Sequence, residues 1–244
     1  NPDEYRRMAD LEGVSWWYVG MRRIARSLLT PLLPAEAGPR RILDAGCGTG
    51  WNLQDLSSMG ETHGLDLSPL AVLATRGRGG RVVQGDVLGL PYASGSFDVV
   101  TSFDVLYHAW VQDDAQAVRE LGRVLKPGGL ILIKVPALKI LWGAHDEAVH
   151  SRHRYTRGEL EALLEASGLA LVRSTYANSL LFPVLLSRRF LDRLLKRHGS
   201  DVVMLPLLLE RAFGALLSIE AALLSAINLP IGASVFAIAR KPAA

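Results

Sequence analysis

The 244 residues carry 27 Lys plus Arg against 24 Asp plus Glu, a formal net charge of +3, and 49% of them are hydrophobic. That supplies apolar material for one large α/β core, while no Lys/Arg block is dense enough for a nucleic-acid footprint. The single cysteine, Cys47, excludes an internal disulfide and a cysteine-based zinc site; it fits a reducing, cytoplasmic compartment, and no secretory signal is legible.

Residues 15–30 place Trp17, Met21, Ile24 and Leu28 at helical spacing, with Arg22 and Arg26 one turn apart on another face. An amphipathic helix is expected. Either its aromatics are core and its arginines solvated, or Trp16, Trp17 or Tyr18 closes over a ligand while Arg22 or Arg23 reaches a ligand carboxylate. Pro31, Pro34 and Pro39 then break the helix before the first strand.

In the run Ile42-Leu43-Asp44-Ala45-Gly46-Cys47-Gly48-Thr49-Gly50 an apolar strand ends in an acid and three alternate glycines. The glycines permit positive φ and remove every Cβ, so main-chain N–H groups are expected to face a ligand directly. A dinucleotide fingerprint needs G-x-G-x-x-G; here the third glycine comes one position early and Trp51 takes the last place, which disfavours a dehydrogenase. Trp51 to Met59 is expected as a helix capped by Gly60. Glu61 to Leu65 gives a second strand ending in Asp66, 22 residues after Asp44. In a parallel βαβ unit such an acid stands beside the ribose of an adenosine ligand.

The third strand is expected at Arg81 to Gln84, followed by Gly85-Asp86-Val87, and the fourth at Phe97 to Ser102. By itself Asp86 could be a simple turn or N-cap aspartate. After Phe103-Asp104-Val105-Leu106-Tyr107-His108, a helix begins at Asp113-Asp114 and runs to Leu125. Lys126-Pro127-Gly128-Gly129 then turns the chain into a fifth strand, Leu130 to Val135.

The stretch Trp142 to Tyr155 holds His145, His150 and His153, three of the six histidines. No cysteine accompanies them and their spacing is not that of a helical zinc motif, so no metal is expected. The stretch follows the fifth strand and so lies at the rim where open α/β sheets bind ligands, which suits substrate contact or general-base work as well as a polar loop. Thr156-x-x-Glu159 is a capping box for a helix with Leu160, Leu163 and Leu164 inward, stopping at Gly168.

Leu169 to Tyr176 and Ala233 to Arg240 read as the last two strands, and the roughly 55 residues between them far exceed a turn. Ser187 to Arg197 is a basic amphipathic helix. Val202 to Ile227 is rich in leucine and alanine, with Glu210, Arg211 and Glu220 its charges. A membrane span needs about 20 unbroken apolar residues. Those charges, then Asn228, Pro230 and Gly232, interrupt every candidate, so helices on or beside the sheet are expected.

Asp44-x-Gly46-x-Gly48-x-Gly50 resembles motif I of the class I S-adenosylmethionine (SAM) dependent methyltransferases. The runs Phe97 to His108 and Val124 to Gly129 resemble their later motifs, in order and in register between Arg41 and Pro136. The likeness is to the broad methyltransferase-domain group near the ubiquinone, menaquinone and small-molecule enzymes. It implies an α/β fold: a Rossmann-like, doubly wound, seven-stranded, mostly parallel sheet with the last strand antiparallel. It also implies one domain, divided into a helical lid (1–37), a SAM-binding core (38–177), an apolar helical insertion (178–231), and a last strand with tail (232–244).

The resemblance further implies SAM as cofactor and S-adenosylhomocysteine as product. It assigns Asp44, Gly46, Cys47, Gly48, Gly50, Asp66, Leu67, Asp86, Val87, Ser102 and Phe103 to the cofactor, with Tyr18 and Arg22 from the lid. Asp66 would accept the ribose hydroxyls and Asp86 the adenine amine. The implied reaction is methyl transfer to a small molecule, in one form hydrophobic or lipid-linked, and His108, His145 and His150 are candidates for acceptor positioning or proton removal by location. The alternative is a SAM-binding regulatory partner that does no chemistry. A nucleic-acid acceptor is not expected, since no Asn/Asp-Pro-Pro-Tyr-like run follows the fourth strand; monomer and homodimer both stay open.

The insertion has three uses: packing on its own sheet and lid, a homodimer face, or a greasy mouth for a hydrophobic acceptor. The basic helix favours the third, with peripheral contact at the inner membrane surface. Self-packing predicts Leu207, Leu208, Phe213 and Leu217 buried.

Overall fold

The computed structural model describes residues 11–34, 38–195 and 205–243. In chain order its elements are α1 (Trp16–Leu29), β1 (Arg41–Ala45), α2 (Trp51–Leu56), β2 (Glu61–Asp66), α3 (Pro69–Gly77), β3 (Arg81–Gln84), β4 (Phe97–Phe103), α4 (Asp114–Val124) and β5 (Leu125–Pro136). There follow α5 (Ala144–Ala148), α6 (Arg157–Ala166), β6 (Ala170–Ala177), α7 (Phe182–Leu194), α8 (Leu207–Leu224) and β7 (Ser234–Arg240). The strands form a seven-stranded sheet of order β3-β2-β1-β4-β5-β7-β6. Strands β1 to β5 pair in parallel, and β7 runs antiparallel to both β5 and β6. The reversal between β1 and β4 opens a crevice at the carboxyl ends, the ligand position of this architecture.

Apolar residues on both faces of the central strands dictate this layering, because a strand sends successive side chains to opposite sides. Leu43, Val100, Ile131, Ile133, Val235 and Ala237 meet Val118 and Leu121 of α4 and Leu160 and Leu164 of α6. Their neighbours Ile42, Val99, Leu130, Leu132, Phe236 and Ile238 meet Met21, Ile24 and Leu28 of α1 with Leu217 and Leu224 of α8. The helix expected as a lid is thus also a core layer. It packs on α8 so closely that a Cβ on Gly20 would stand 2.2 Å from Leu217 Cδ1.

Three local expectations are corrected. Helix α2 ends at Leu56, short of Met59, and Gly60 does not cap it. Gly60 is there because a Cβ would come within 2.4 Å of the Arg40 carbonyl, which accepts the Glu61 N–H. The Lys126 to Gly129 turn does not precede β5 but lies inside it, as an irregularity where pairing shifts from Phe97 opposite Leu125 to Val99 opposite Leu130.

The third correction concerns the insertion. Leu217 is fully buried and Phe213 partly, yet Leu207 and Leu208 are 65% and 80% exposed. The carboxyl half of α8 is anchored instead by buried Glu220, which accepts the N–H groups of Ser179 (2.8 Å) and Leu180 (2.9 Å) just before α7. The basic helix starts earlier than expected, at Phe182; Lys196, Arg197 and Val202 to Met204 lie outside the described residues. Among the described residues no helix is long and apolar enough to cross a membrane.

Candidate functional site

The glycine turn after β1 folds onto the end of β2. Gly46 and Cys47 N–H groups donate to the Leu65 carbonyl (2.7 and 3.0 Å), Gly48 N–H to the Asp66 carboxylate (2.8 Å), and Gly50 N–H to the Cys47 carbonyl (3.0 Å). These donors, expected to face a ligand, are engaged within the fold, because the β1–β2 register sets Ala45 opposite Leu65. The turn offers a ligand something else. Gly48 sits at φ +54°, and a Cβ there would meet nothing within 4 Å, so bare backbone forms an open floor.

Carboxylates surround that floor. Asp44 is fully buried, its Oδ1 accepts the Thr101 hydroxyl at 2.7 Å, and burial pushes its pKa up to about 7. Its Oδ2 makes no hydrogen bond of normal geometry, although the Asn52 amide lies near enough to favour the ionised form. Ser102 Oγ, at the end of β4, is buried without a partner as well. Asp66 accepts Gly48 N–H through one oxygen and Ser68 N–H (2.9 Å) through the other; burial raises its pKa against those two bonds. A buried Asp44 oxygen left without such a bond, with Asp66 and Glu12 close enough to act on it, makes a place for a cation that also donates hydrogen bonds.

The segment before α1 closes one side. The Thr49 hydroxyl donates to Glu12, whose pKa is raised by burial, with Asp66 adding to the effect. Arg22 donates to the Glu12 carbonyl at 2.8 Å and pairs with Asp55 of α2 at 2.6 Å. It is mostly buried and already holds two partners, which corrects the solvated reading of that residue. Tyr18 is a phenol held protonated by burial, with Glu12 and Asp104 as anionic neighbours.

Other expected residues divide by side chain. Asp86 forms a turn, accepting Leu88 N–H at 2.9 Å through Oδ1. Leu67 is exposed, while Val87 is buried in the core and can present only backbone to the crevice. The Cys47 thiol is turned away among Leu53, Val72 and Val82, and burial raises its pKa. Phe103 packs edge-on to Phe236.

Two side chains not singled out from the sequence stand at the ends of β4 and β5. Asp104, in the left-handed region at φ +57°, receives an ion pair from buried Lys134, whose Nζ lies 5.4 Å from the Trp17 ring. A lysine inside the apolar run Leu130 to Val135 was the available signal, since an ammonium is buried only with a partner. Burial and Asp104 also raise the pKa of buried Tyr107.

The histidine candidates separate. His108 stacks on Trp110 and meets Tyr107 at a tilt (ring centroids 4.1 Å in each case), and its Nδ1 bonds the Val149 carbonyl at 2.9 Å; burial lowers its pKa. His145 on α5 is close enough for its charge to act on His108. His150 is exposed, at φ +53°, and its carbonyl accepts Ala109 N–H. The loop itself is organised by the buried pair Asp146–Arg154, with bonds of 2.7 and 3.0 Å, while Asp146 also accepts Gly143 N–H and Arg154 reaches the Ala137 carbonyl.

Residues 43–133 match the family model described as Methyltransferase domain. The chain is 34% identical over 173 residues to a malonyl-[acyl-carrier protein] O-methyltransferase of Erwinia pyrifoliae, covering 68% of this chain and 64% of that protein. It is 37% identical over 119 residues to the enzyme of the same name from Halorhodospira halophila, covering 46% and 40%. The matches span about half the length of the curated relatives. Among solved structures, a chain of the complex between the Haloferax volcanii Trm112 methyltransferase activator and a methyltransferase superposes with TM-score 0.65 at 19% identity, covering 99% and 96%. The motif, the strand order and the relatives agree: residues 43–133 are a methyltransferase domain of the class I S-adenosylmethionine-dependent kind.

Proposed function

We propose that this protein transfers a methyl group from SAM to a small-molecule acceptor that is hydrophobic or lipid-linked. The observation that carries the reading is the fully buried Asp44 carboxylate, whose Oδ2 lacks a hydrogen bond of normal geometry, together with the bare floor at Gly48. SAM, when bound, supplies an electrophilic methyl on a sulfonium and brings an ammonium group. Asp44 would hold that ammonium, Asp66 the ribose hydroxyls and Asp86, through its remaining oxygen, the adenine amine. Glu12 and Tyr18 would exclude water from the same side.

The acceptor enters at the ends of β4 and β5, where Asp104, Lys134, Tyr18 and Tyr107 supply polar groups and His108 and His145 border the opening. Positioning carries most of such a transfer, and a base helps where the nucleophile holds a proton. Small-molecule or carrier-bound acceptors are supported by the two O-methyltransferase relatives, whose names place the methyl on malonyl-acyl carrier protein. The test is release of S-adenosylhomocysteine from SAM with a panel of carboxylic, phenolic and lipid-linked acceptors. SAM binding with no turnover on any of them would assign the chain to the regulatory alternative.

A further inference from the structure

Glu12 reaches the glycine turn from outside the sheet, in the segment that leads into α1. Its carboxylate accepts the hydroxyl of Thr49, the residue between the bare floor at Gly48 and Gly50. The backbone on either side is fixed. Arg22 donates to the Glu12 carbonyl at 2.8 Å, and Gly13 lies so close to α2 that a Cβ there would stand 2.5 Å from Trp51 Cζ2. Ser15 N–H then closes a tight turn on the Leu11 carbonyl at 2.8 Å. A segment tied at several points holds its carboxylate at the turn, so the group is preorganised for whatever binds there.

Charge says what kind of group that is. Burial is the largest effect on Glu12 and raises its pKa, while the Thr49 bond, Arg22 and Arg78 act in the other direction. Both arginines lie over the Trp51 ring, at 5.7 and 4.8 Å. On the other side stand two more acids: Asp66 acts on Glu12, and both Asp66 and Glu12 act on Asp44, whose buried Oδ2 lacks a hydrogen bond of normal geometry. Three carboxylates around one floor favour a ligand with more positive charge than a single ammonium. Tyr18 shows which side Glu12 faces. Glu12 and Asp104 both act on its phenol, so Glu12 lies toward the ends of β4 and β5, where the acceptor enters.

We infer that Glu12 is a specificity-determining residue that reads the sulfonium charge of SAM and so biases the site toward SAM over S-adenosylhomocysteine. The inference rests on the methyltransferase reading, in which Asp44 takes the ammonium and Asp66 the ribose, leaving Glu12 for the second positive group, whose methyl must face the acceptor. In the transfer the acceptor's lone pair forms the new bond to the methyl carbon and the sulfur–carbon pair stays on sulfur. The product is a neutral thioether, and Glu12 loses the charge it favoured. The carboxylate thus holds the methyl donor and helps to release the spent cofactor.

The experiment is calorimetry of the full chain with SAM, S-adenosylhomocysteine and sinefungin, in which an amine-bearing carbon replaces the sulfonium. Glu12→Gln keeps an acceptor for the Thr49 hydroxyl but removes the charge, and it is expected to weaken SAM and sinefungin roughly tenfold while S-adenosylhomocysteine changes by about twofold or less. Glu12→Asp keeps the charge and should retain most of the preference, which a merely structural role of the segment would not explain. Melting curves confirm that both variants are folded. Equal weakening of all three ligands by Glu12→Gln overturns the inference and makes Glu12 a strap that shapes the site. Unchanged affinities overturn it too, as does sinefungin behaving like S-adenosylhomocysteine. A wild-type chain that binds none of the three strikes the functional reading itself, and the inference falls with it.

Discussion

The carboxylate of Asp66, at the end of β2, accepts the backbone N–H of Gly48 in the turn after β1, at 2.8 Å. One residue thus shapes the cofactor floor and is placed to read the ribose. Asp66→Ala is expected to weaken SAM binding by about 1–3 kcal/mol, the worth of a charge-assisted partner. Asp66→Asn keeps an acceptor for the Gly48 N–H and should fall between. Calorimetry on both variants checks the order, and unchanged affinity in Asp66→Ala would remove the assignment.

Asp44 gives a pH signature. Its folded pKa, about 7, lies above the unfolded value because burial penalises the charge. A raised carboxyl stabilises the free protein below the unfolded pKa, and that contribution is lost as pH climbs through the folded pKa. The free protein should therefore lose stability between about pH 4 and 7 on account of this group, whereas SAM affinity should rise between about pH 6 and 7.5 as Asp44 ionises. Asp44→Asn is expected to flatten both trends and bind SAM more weakly. Thermal melts and titrations at the two ends of the range decide it.

The turn glycines should respond differently. A Cβ on Gly46 would lie 2.1 Å from Val105 Cγ2, but one on Gly48 points into open space. Gly48→Ala is expected to cost about 1–2 kcal/mol of stability for its left-handed backbone and to lose most SAM affinity. Gly46→Ala should cost more stability through the collision as well. Chemical denaturation with SAM calorimetry separates the two effects, and equal stability losses would contradict the geometry.

What the residues alone revealed was mostly local. Strand periodicity, the glycine spacing and the offset from Asp44 to Asp66 lie along the chain and translate directly into β1, the turn and β2. Gly60 was misread because a close approach to Arg40 and a helix cap look alike in one dimension. The N–H groups of Gly46, Cys47 and Gly48 were misassigned because their acceptors, the Leu65 carbonyl and the Asp66 carboxylate, come from the neighbouring strand. Pairs such as Lys134–Asp104, Asp146–Arg154 and Glu220 with Ser179 join distant elements, and no periodicity announces them. The leucines of α8 were legible as apolar, but which of them would be covered depended on where α1 lies.

The histidine-rich loop should prove to depend on its ion pair for shape. Arg154→Ala leaves Asp146 buried without its partner and is expected to cost about 3–5 kcal/mol. His150→Ala, at an exposed position, should leave stability within about 0.5 kcal/mol. His145→Ala is expected to keep SAM affinity and lower turnover, as a group acting on the acceptor would. Melting curves with steady-state rates on an identified acceptor make the comparison.

The central claim is that the open floor at Gly48, ringed by Asp44, Asp66 and Glu12, is a SAM site, and direct titration tests it. Calorimetry of the wild-type chain with SAM, S-adenosylhomocysteine and NAD in parallel should give saturable binding of the first two at one site per chain and no heat with NAD. Binding of NAD with none of SAM would contradict the account.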